Sequence, residues 1–166
     1  MRILSLILFL SFSTLSVNAQ TEDRGDMQKL LDFFCLKGID ITHSVNNFLY
    51  HTVFDWYEVP YRYAGSTTGG IDCSGFVKMV YNKVFSCILQ GGSADLIQKC
   101  REIEPTELKE GDLLFFKIRG DQVSHVGIYL MDGKFAHATT RLGVTISDLT
   151  EEYYKRTFFK AGRLNP

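Results

Sequence analysis

The sequence predicts an α+β fold, with helices early in the chain and an antiparallel sheet after them. In the first half, apolar residues recur at three- and four-residue spacing, which is the period of an amphipathic helix. In the second half, apolar and polar residues alternate, and an Asp-Gly pair separates two alternating runs as in a β-hairpin. Helices followed by strands in this order favour helices packed on one face of a sheet.

The chain opens with the features of an export signal. Arg2 precedes an apolar run over residues 3–17, and small residues stand at Val17 and Ala19, where a signal peptidase would cut. We therefore expect residues 1–19 to be a signal peptide and residues 20–166 to form a single domain in the periplasm or cell envelope. The apolar run is too short for a stable membrane span, so no stable membrane anchor is expected.

Two amphipathic helices are predicted before the middle of the chain. The first ends at Gly38 and places Cys35 on its buried face. The second follows Ser44, and His43 and His51 are assigned to it. We interpret both histidines as ordinary structural residues, because an isolated histidine on an amphipathic helix is usually only hydrogen-bonded.

The stretch Tyr61–Val77, Y-R-Y-A-G-S-T-T-G-G-I-D-C-S-G-F-V, carries the strongest chemical signal. Its glycines break the chain, and Asp72 and Ser74 can bind the unpaired amides at the start of a helix that begins near Cys73. A thiol at a helix start lies in the positive end of the helix dipole, which favours the thiolate and prepares a nucleophile. The alternative is that Cys73 is a small buried core residue, and the local sequence does not decide between the two.

A base for Cys73 is predicted on a β-hairpin. In V-S-H-V-G-I-Y-L, alternate residues form an apolar face, while His125 and Gly127 lie on the other face. The turn at residues 131–134 leads to a second strand that carries His137, so the two histidines can face one another and the helix start. The alternative is that each imidazole is merely hydrogen-bonded in a half-buried sheet. The second strand of this hairpin is predicted at residues 134–138. The sequence also predicts strands at residues 113–118, 142–147 and 157–163.

The remaining composition excludes some classes of protein. A net charge of −1 argues against a nucleic-acid partner, which requires a basic surface. The four cysteines and four histidines show no C-x2-C or H-x3-H spacing, so neither a metal nor another cofactor is expected. In an oxidising compartment Cys87 and Cys100 could form a disulfide worth roughly 3 kcal/mol.

Four ordered blocks, Y-R-Y-A-G-x5-I-D-C-S-G-F-V, G-D-L-L-F-F, S-H-V-G-I-Y-L and F-A-H-A-T, together resemble the NlpC family of papain-like cell-wall cysteine peptidases. The resemblance covers about residues 57–164 and implies the papain-like NlpC fold for a single catalytic domain. It implies a catalytic triad of Cys73, His125 and His137, with Tyr61 stabilising the oxyanion. It also implies that Asp72 and Ser74 meet the amino group of the substrate.

The same resemblance implies an exported, monomeric peptidoglycan (murein) endopeptidase that hydrolyses stem peptides without a cofactor. The expected bond is the D-alanyl–diaminopimelate cross-link or the γ-D-glutamyl–diaminopimelate bond. Two alternatives are an amidase or acyltransferase of the same fold and a non-catalytic wall-binding protein. One departure concerns the L-P-R-x-S segment that usually follows the cysteine helix in this family. Residues 88–93, I-L-Q-G-G-S, stand in its place and are expected to alter substrate recognition.

Overall fold

The computed structural model describes residues 24–164, so the predicted signal peptide lies outside the described residues. The chain divides into two compact units, with the boundary between Thr42 and His43. Within residues 24–164, no helix is both long enough and apolar enough to cross a bilayer.

In the first unit, the described residues form helix α1 over residues 24–36. The predicted helix end is confirmed, since Gly38 has a φ of 72° and its amide binds the carbonyl of Cys35 at 2.9 Å. Leu30 and Phe34 form the buried stripe, one helical turn apart. The prediction that Cys35 is buried is wrong, because its side chain is exposed. Successive residues of a helix point about 100° apart, so Cys35 points away from the stripe that contains Phe34. A short 3-10 turn, Ile41–His43, follows α1.

The second unit begins with helix α2, Asn47–Trp56. Its N-cap is Asn46, whose side chain accepts a hydrogen bond from the amide of Leu49 at 3.1 Å. The cap lies two residues after Ser44, where the sequence predicted the helix to start. His51 lies half-buried on α2, whereas His43 lies outside it in the preceding 3-10 turn. The assignment of both histidines to one helix was therefore wrong for His43.

The cysteine helix is confirmed. Strands β1 (Ser66–Thr67) and β2 (Gly70–Ile71) form a small antiparallel hairpin, and helix α3, Cys73–Phe85, starts two residues later. Asp72 is its N-cap and Ser86, with a φ of 52°, ends it in the left-handed region. The predicted apolar face is buried at Phe76, Val77, Val80 and Tyr81.

A six-stranded sheet follows, in the order β3-β8-β4-β5-β6-β7, with every neighbouring pair antiparallel. This confirms the α+β prediction. The strands are β3 (Arg101–Ile103), β4 (Leu113–Phe116), β5 (His125–Tyr129), β6 (Lys134–Thr139), β7 (Gly143–Asp148) and β8 (Phe158–Arg163). Two short helices, α4 (Ser93–Leu96) and α5 (Glu152–Thr157), and 3-10 turns at Ile97–Lys99 and Pro105–Glu107 lie between strands.

The β5–β6 hairpin sets the positions of both candidate histidines. Tyr129 pairs with Phe135 across a tight turn in which Asp132 and Gly133 have φ values of 52° and 76°. Two successive positive φ values are typical of the type I′ turn that Asp-Gly favours. The register places His125 and His137 on one face, as predicted.

Both faces of the sheet are covered. Helix α3 contacts β5 and β6, and α2 packs against α3. On the face that carries the histidines, Tyr154 from α5 joins a buried cluster with Phe116 and Phe135. The candidate histidines therefore lie at the edge of an aromatic core, which restricts the motion of their rings.

Candidate active site

One cavity of about 750 Å³ brings together all six residues that the sequence singled out. Neither His43 nor His51 lines it, in agreement with their interpretation as structural residues. These six residues, all among those that line the cavity, are Tyr61, Asp72, Cys73, Ser74, His125 and His137.

Asp72 fixes the turn that presents Cys73. Its Oδ1 accepts from the amide of Gly75 at 2.6 Å and from the hydroxyl of Ser74 at 2.9 Å. Its Oδ2 accepts from the amide of Ala64 at 2.9 Å, so one carboxylate joins the loop before β1 to the start of α3. In this conformation Asp72 is a capping residue, and Ser74 donates to it instead of binding a helix amide.

Gly75 is required by a close approach of the backbone. A Cβ atom at this position would overlap the carbonyl of Gly65. That carbonyl also accepts from the amide of Asp72 at 3.3 Å. The loop and the helix start are therefore packed backbone to backbone, which gives Cys73 a fixed position.

The thiol of Cys73 is buried, and burial raises its pKa above the ordinary value for a cysteine. The backbone amides of Val126, Ser74 and Cys73 itself act in the opposite direction, while the charge of Asp72 adds to the increase. The expected stabilisation of the thiolate by the helix start is therefore outweighed by desolvation. At neutral pH the resting group is a thiol, so a base must remove its proton during the reaction.

His125 and His137 form a buried pair. Nε2 of His125 lies 2.7 Å from Nδ1 of His137, and the two rings meet edge to face. Burial lowers the pKa of His125 to about 4, and burial together with the charge of His125 lowers the pKa of His137 well below 6.5. Both rings are therefore neutral at pH 7. Because the hydrogen bond occupies Nε2 of His125, its Nδ1 is the nitrogen left to serve the thiol.

Gly127 makes this pairing possible. It lies between the two histidines on their shared face, and a Cβ atom there would meet the ring of Phe135 and the Cβ of His137. The sequence prediction that this glycine admits a close neighbour is confirmed.

Tyr61 is held in the loop before β1 by hydrogen bonds on both sides. The amide of Ile71 donates to the carbonyl of Pro60 at 3.0 Å, and the amide of Arg62 donates to the carbonyl of Ile71 at 3.2 Å. Burial raises the pKa of Tyr61, and nearby Cys73 and Asp72 raise it further. Tyr61 is therefore a protonated phenol at the cavity wall and a hydrogen-bond donor at neutral pH.

The sequence profile of the NlpC/P60 family matches residues 58–163, nearly the range of the resemblance noted above. The chain belongs to the NlpC/P60 family. A Haemophilus influenzae protein named a probable endopeptidase NlpC homolog is 40% identical over 110 residues, which are 66% of this chain and 58% of that protein. The Escherichia coli K12 protein named murein DD-endopeptidase MepS/murein LD-carboxypeptidase is 38% identical over 110 residues, with the same two coverages of 66% and 58%.

Solved structures of the NlpC/P60 family agree with the fold. The crystal structure of a family member from Bacillus cereus matches with a TM-score of 0.65 and 28% identity, over 71% of this chain and 39% of that chain. The chain spans about three fifths of the length of the two curated relatives, at 58% of each.

Sequence reasoning missed two residues of the site, Ser147 on β7 and Tyr154 on α5. The Oγ of Ser147 lies 3.0 Å from Nε2 of His137, and the hydroxyl of Tyr154 lies 3.4 Å from the same nitrogen. Ser147 could have been found from strand alternation, since it follows Thr145, the cross-strand partner of His137, on the same face. Tyr154 lies on a six-residue helix that has no apolar periodicity to reveal it.

The segment that departs from the family pattern forms part of the cavity wall. Gly92, Ser93 and Ala94 line the cavity, beyond Gly91, whose φ is 95°. Cys87 and Cys100, which flank this segment, are both free thiols, so the disulfide considered from the sequence is not formed. The thiol of Cys100 instead donates to the carbonyl of Leu96 at 3.3 Å.

Proposed function

We propose that the protein is an exported murein endopeptidase that hydrolyses stem-peptide bonds with Cys73 as nucleophile. The observation that carries this proposal is the 2.7 Å hydrogen bond between Nε2 of His125 and Nδ1 of His137. It leaves Nδ1 of a neutral, buried His125 available as a base in the cavity that contains the thiol. The names of the two curated relatives, both endopeptidases, support the same activity.

Acylation begins with transfer of the Cys73 proton to Nδ1 of His125. The thiolate attacks the carbonyl carbon of the scissile amide, and the carbonyl oxygen becomes an oxyanion. The phenol of Tyr61 and a backbone amide at the start of α3 donate to this oxygen, where loss of one donor typically costs roughly a hundredfold or more. His125 then gives its proton to the leaving amine, which departs and leaves a thioester on Cys73.

Deacylation repeats the sequence with water as nucleophile. His125, neutral again, takes a proton from water, which attacks the thioester carbonyl. The second oxyanion collapses, the carboxylic acid leaves, and His125 returns the proton to the sulfur of Cys73. Both halves of the cycle balance with the side chains of the site, a backbone amide and one water molecule.

His137 serves His125 as an orienting partner. In the resting state it accepts the Nε2 proton of His125, which fixes the ring and its tautomer. When His125 becomes positively charged, Nδ1 of His137 remains the acceptor and stabilises the cation. A neutral partner stabilises a cation less than a carboxylate does, so His137 is expected to contribute less than His125.

The substrate we propose is a diaminopimelate-containing stem peptide, which carries both amino and carboxylate groups. The cavity matches this mixture, because Asp72 and Glu151 contribute negative charge while Arg119 and Arg141 contribute positive charge. Asp72 and Ser74 are placed to meet an amino group. We favour the D-alanyl cross-link over the γ-D-glutamyl bond, since a relative at 38% identity is named a murein DD-endopeptidase.

The predicted signal peptide and the proposed peptidoglycan substrate support a location in the periplasm or cell envelope, where we propose that the protein acts as a monomer. The test is mass spectrometry of purified murein fragments after incubation with the protein, with Cys73→Ser as the blank. Conversion of cross-linked dimers to monomers with intact tetrapeptide stems is the expected result. Dipeptide stems as the main product would move the assignment to the γ-D-glutamyl bond.

Cleavage of neither stem-peptide bond would favour one of the alternatives raised by the family resemblance. A burst of acyl-enzyme on an amide or ester probe would then support an amidase or acyltransferase. Tight binding to murein without any such burst would support a non-catalytic wall-binding protein.

A further inference from the structure

Two hydroxyl groups contact the ring nitrogen of His137 that does not bind His125. The Oγ of Ser147 lies 3.0 Å and the Oη of Tyr154 lies 3.4 Å from Nε2 of His137. The hydroxyl of Ser147 in turn lies 3.3 Å from that of Tyr154 and donates to it. Four side chains, from β5, β6, β7 and α5, thus form one continuous chain of hydrogen bonds that ends at His125.

The tautomer of His137 decides whether His125 can act as a base. With its proton on Nε2, His137 presents a bare Nδ1 that accepts from Nε2–H of His125, so Nδ1 of His125 stays unprotonated. With its proton on Nδ1, His137 donates to Nε2 of His125, whose own proton then sits on Nδ1. In that second arrangement His125 cannot accept the proton of Cys73.

The productive tautomer requires an acceptor for the Nε2–H of His137. His137 is completely buried, so this acceptor must come from the protein. Ser147 supplies it, since its own proton is directed to Tyr154 and its lone pairs face the imidazole. Tyr154 is a second acceptor at a longer distance.

Packing fixes both hydroxyl groups. The ring of Tyr154 meets Phe135 and His137 edge to face, with centroid distances of 5.0 and 5.3 Å. Ser147 is the cross-strand partner of Phe135, so the register of β6 and β7 determines its position. The hydroxyl of Tyr154 cannot leave His137 without moving its ring in the aromatic cluster, and the strand register keeps Ser147 on the face that carries His137.

Few charges act on this chain of hydrogen bonds. Cys73 from α3 and His125 from β5 are neutral at rest, as described above. Burial raises the pKa of Tyr154, the neighbouring hydroxyl of Ser147 lowers it, and the negative charges of Glu151 and of ionised Tyr153 raise it, which leaves Tyr154 a neutral phenol. Glu151 itself accepts from the amide of Asp148 at 2.9 Å.

We propose that Ser147 and Tyr154 are positioning residues that keep His137 protonated on Nε2 and thereby keep Nδ1 of His125 available to Cys73. The inference rests on the proposed cysteine-peptidase function and adds two residues to it. Neither residue needs to touch the substrate, because both act through two imidazoles.

The test uses alkylation of Cys73 by iodoacetamide as a function of pH, which needs no murein substrate. Because Cys35 is exposed, labelling is resolved by peptide mass spectrometry. Ser147→Ala should lower the alkylation rate of Cys73 at neutral pH roughly tenfold. The midpoint of the curve of alkylation rate against pH should move upward by about one pH unit. Ser147→Thr, which keeps the hydroxyl, should restore both. Tyr154→Phe should cause a smaller shift in the same direction.

Tyr129→Phe is the matched control, since its hydroxyl accepts from the amide of Gly133 and lies outside the cavity. In a His137→Ala background, Ser147→Ala should have no further effect on alkylation or turnover. A further tenfold loss there, or an unchanged pH midpoint in Ser147→Ala, would overturn the proposal. If the Ser147 and Tyr154 variants show the expected pH shifts but the wild type cleaves no murein, the positioning role stands and the proposed substrate fails.

Discussion

The proposed nucleophile, Cys73, and the histidine pair are held in place by contacts of very different range. Asp72 fixes the turn at Cys73 through partners three and eight positions away in the sequence. His137, by contrast, binds partners 12, 10 and 17 positions away, on three other elements. The nucleophile side is therefore determined by local sequence, whereas the base side depends on strand register and on the docking of α5.

This difference predicts how each side fails. The turn presents a single reactive atom, the sulfur of Cys73, and removal of that atom removes the chemistry outright. A network shares its task among several side chains, so removal of one member leaves a weakened base. We expect substitution of Cys73 to abolish turnover, and substitutions along the path from His125 to Tyr154 to reduce turnover by graded amounts.

The largest effect is expected for Cys73→Ser. The serine hydroxyl is far less acidic than the thiol, so a neutral His125 should not activate it, and turnover should fall by at least roughly a thousandfold. The unfolding temperature should stay close to that of the wild type, because the two side chains are similar in size. Product release from murein and a thermal melt measure the two quantities. Turnover by the serine variant at the wild-type rate would rule out a cysteine nucleophile.

The two histidines should differ in the same assay. His125→Ala removes the base and should cost roughly a thousandfold, within the usual range for general acid–base catalysis. His137→Ala removes only an orienting partner and should leave activity well above that of His125→Ala. His51→Ala is the control, because His51 lies on α2 outside the cavity. Equal losses from both substitutions would contradict the division of roles.

Acid should destabilise the folded protein through its buried His125. The folded protein holds the pKa of His125 at about 4, whereas an unfolded histidine titrates near 6.5. Stability is therefore complete above about pH 6.5 and falls as the pH drops towards 4, by about 3 kcal/mol for His125 alone. Urea unfolding at a series of pH values between about 6.5 and 4 measures this loss in the free energy of unfolding.

The contribution of His125 to this pH dependence can be distinguished from that of the Asp148 carboxylate, because the two titrate in different pH ranges. The pKa of Asp148 is lowered to about 2, mainly by its hydrogen bond to Lys134, so its contribution is lost only below about pH 4. His125→Asn should weaken the dependence between pH 6.5 and 4, leaving the part that the buried His137 contributes, and should not change the loss below pH 4. An unaltered curve in this variant would show that another group is responsible.

The smallest effect is expected for the helix cap. Asp72→Ala removes the acceptor of the Gly75 and Ala64 amides and should lower the free energy of unfolding by about 1 kcal/mol. Asp72→Asn keeps an acceptor oxygen and should lose less stability. If Asp72 also meets the substrate amine, the asparagine variant should raise KM at nearly wild-type stability. Equal stability of both variants and the wild type would show that the cap contributes nothing.

Much of the site could be predicted because its signals are local. Glycines, an Asp cap and a helical period mark the start of α3, and Asp132-Gly133 marks the hairpin that brings His125 and His137 together. These features are encoded by neighbouring residues, so a sequence alone suffices to find them. The family resemblance assigned roles to the same positions.

The parts that escaped prediction depend on distant partners or on burial. Strand β3 is three residues long and exists only because it pairs with β8, some 60 positions later. The hydroxyls of Ser147 and Tyr154 meet His137 only after β7 and α5 have docked. The raised pKa of Cys73 follows from how deeply the folded chain buries the thiol, which the helix dipole argument did not include.

The two-residue turn between β5 and β6 also limits how a chain of this kind can change in length. Because side chains alternate along a strand, one extra residue in β6 before His137 would rotate that imidazole to the opposite side of the sheet. Deletions have the same effect, so odd-numbered changes in length would separate the triad while leaving the sheet intact. Residues 88–94 lie outside the sheet, so a change in length there would not alter the strand register that pairs His125 with His137. We therefore expect changes in length to be tolerated better at this wall of the cleft than in β6.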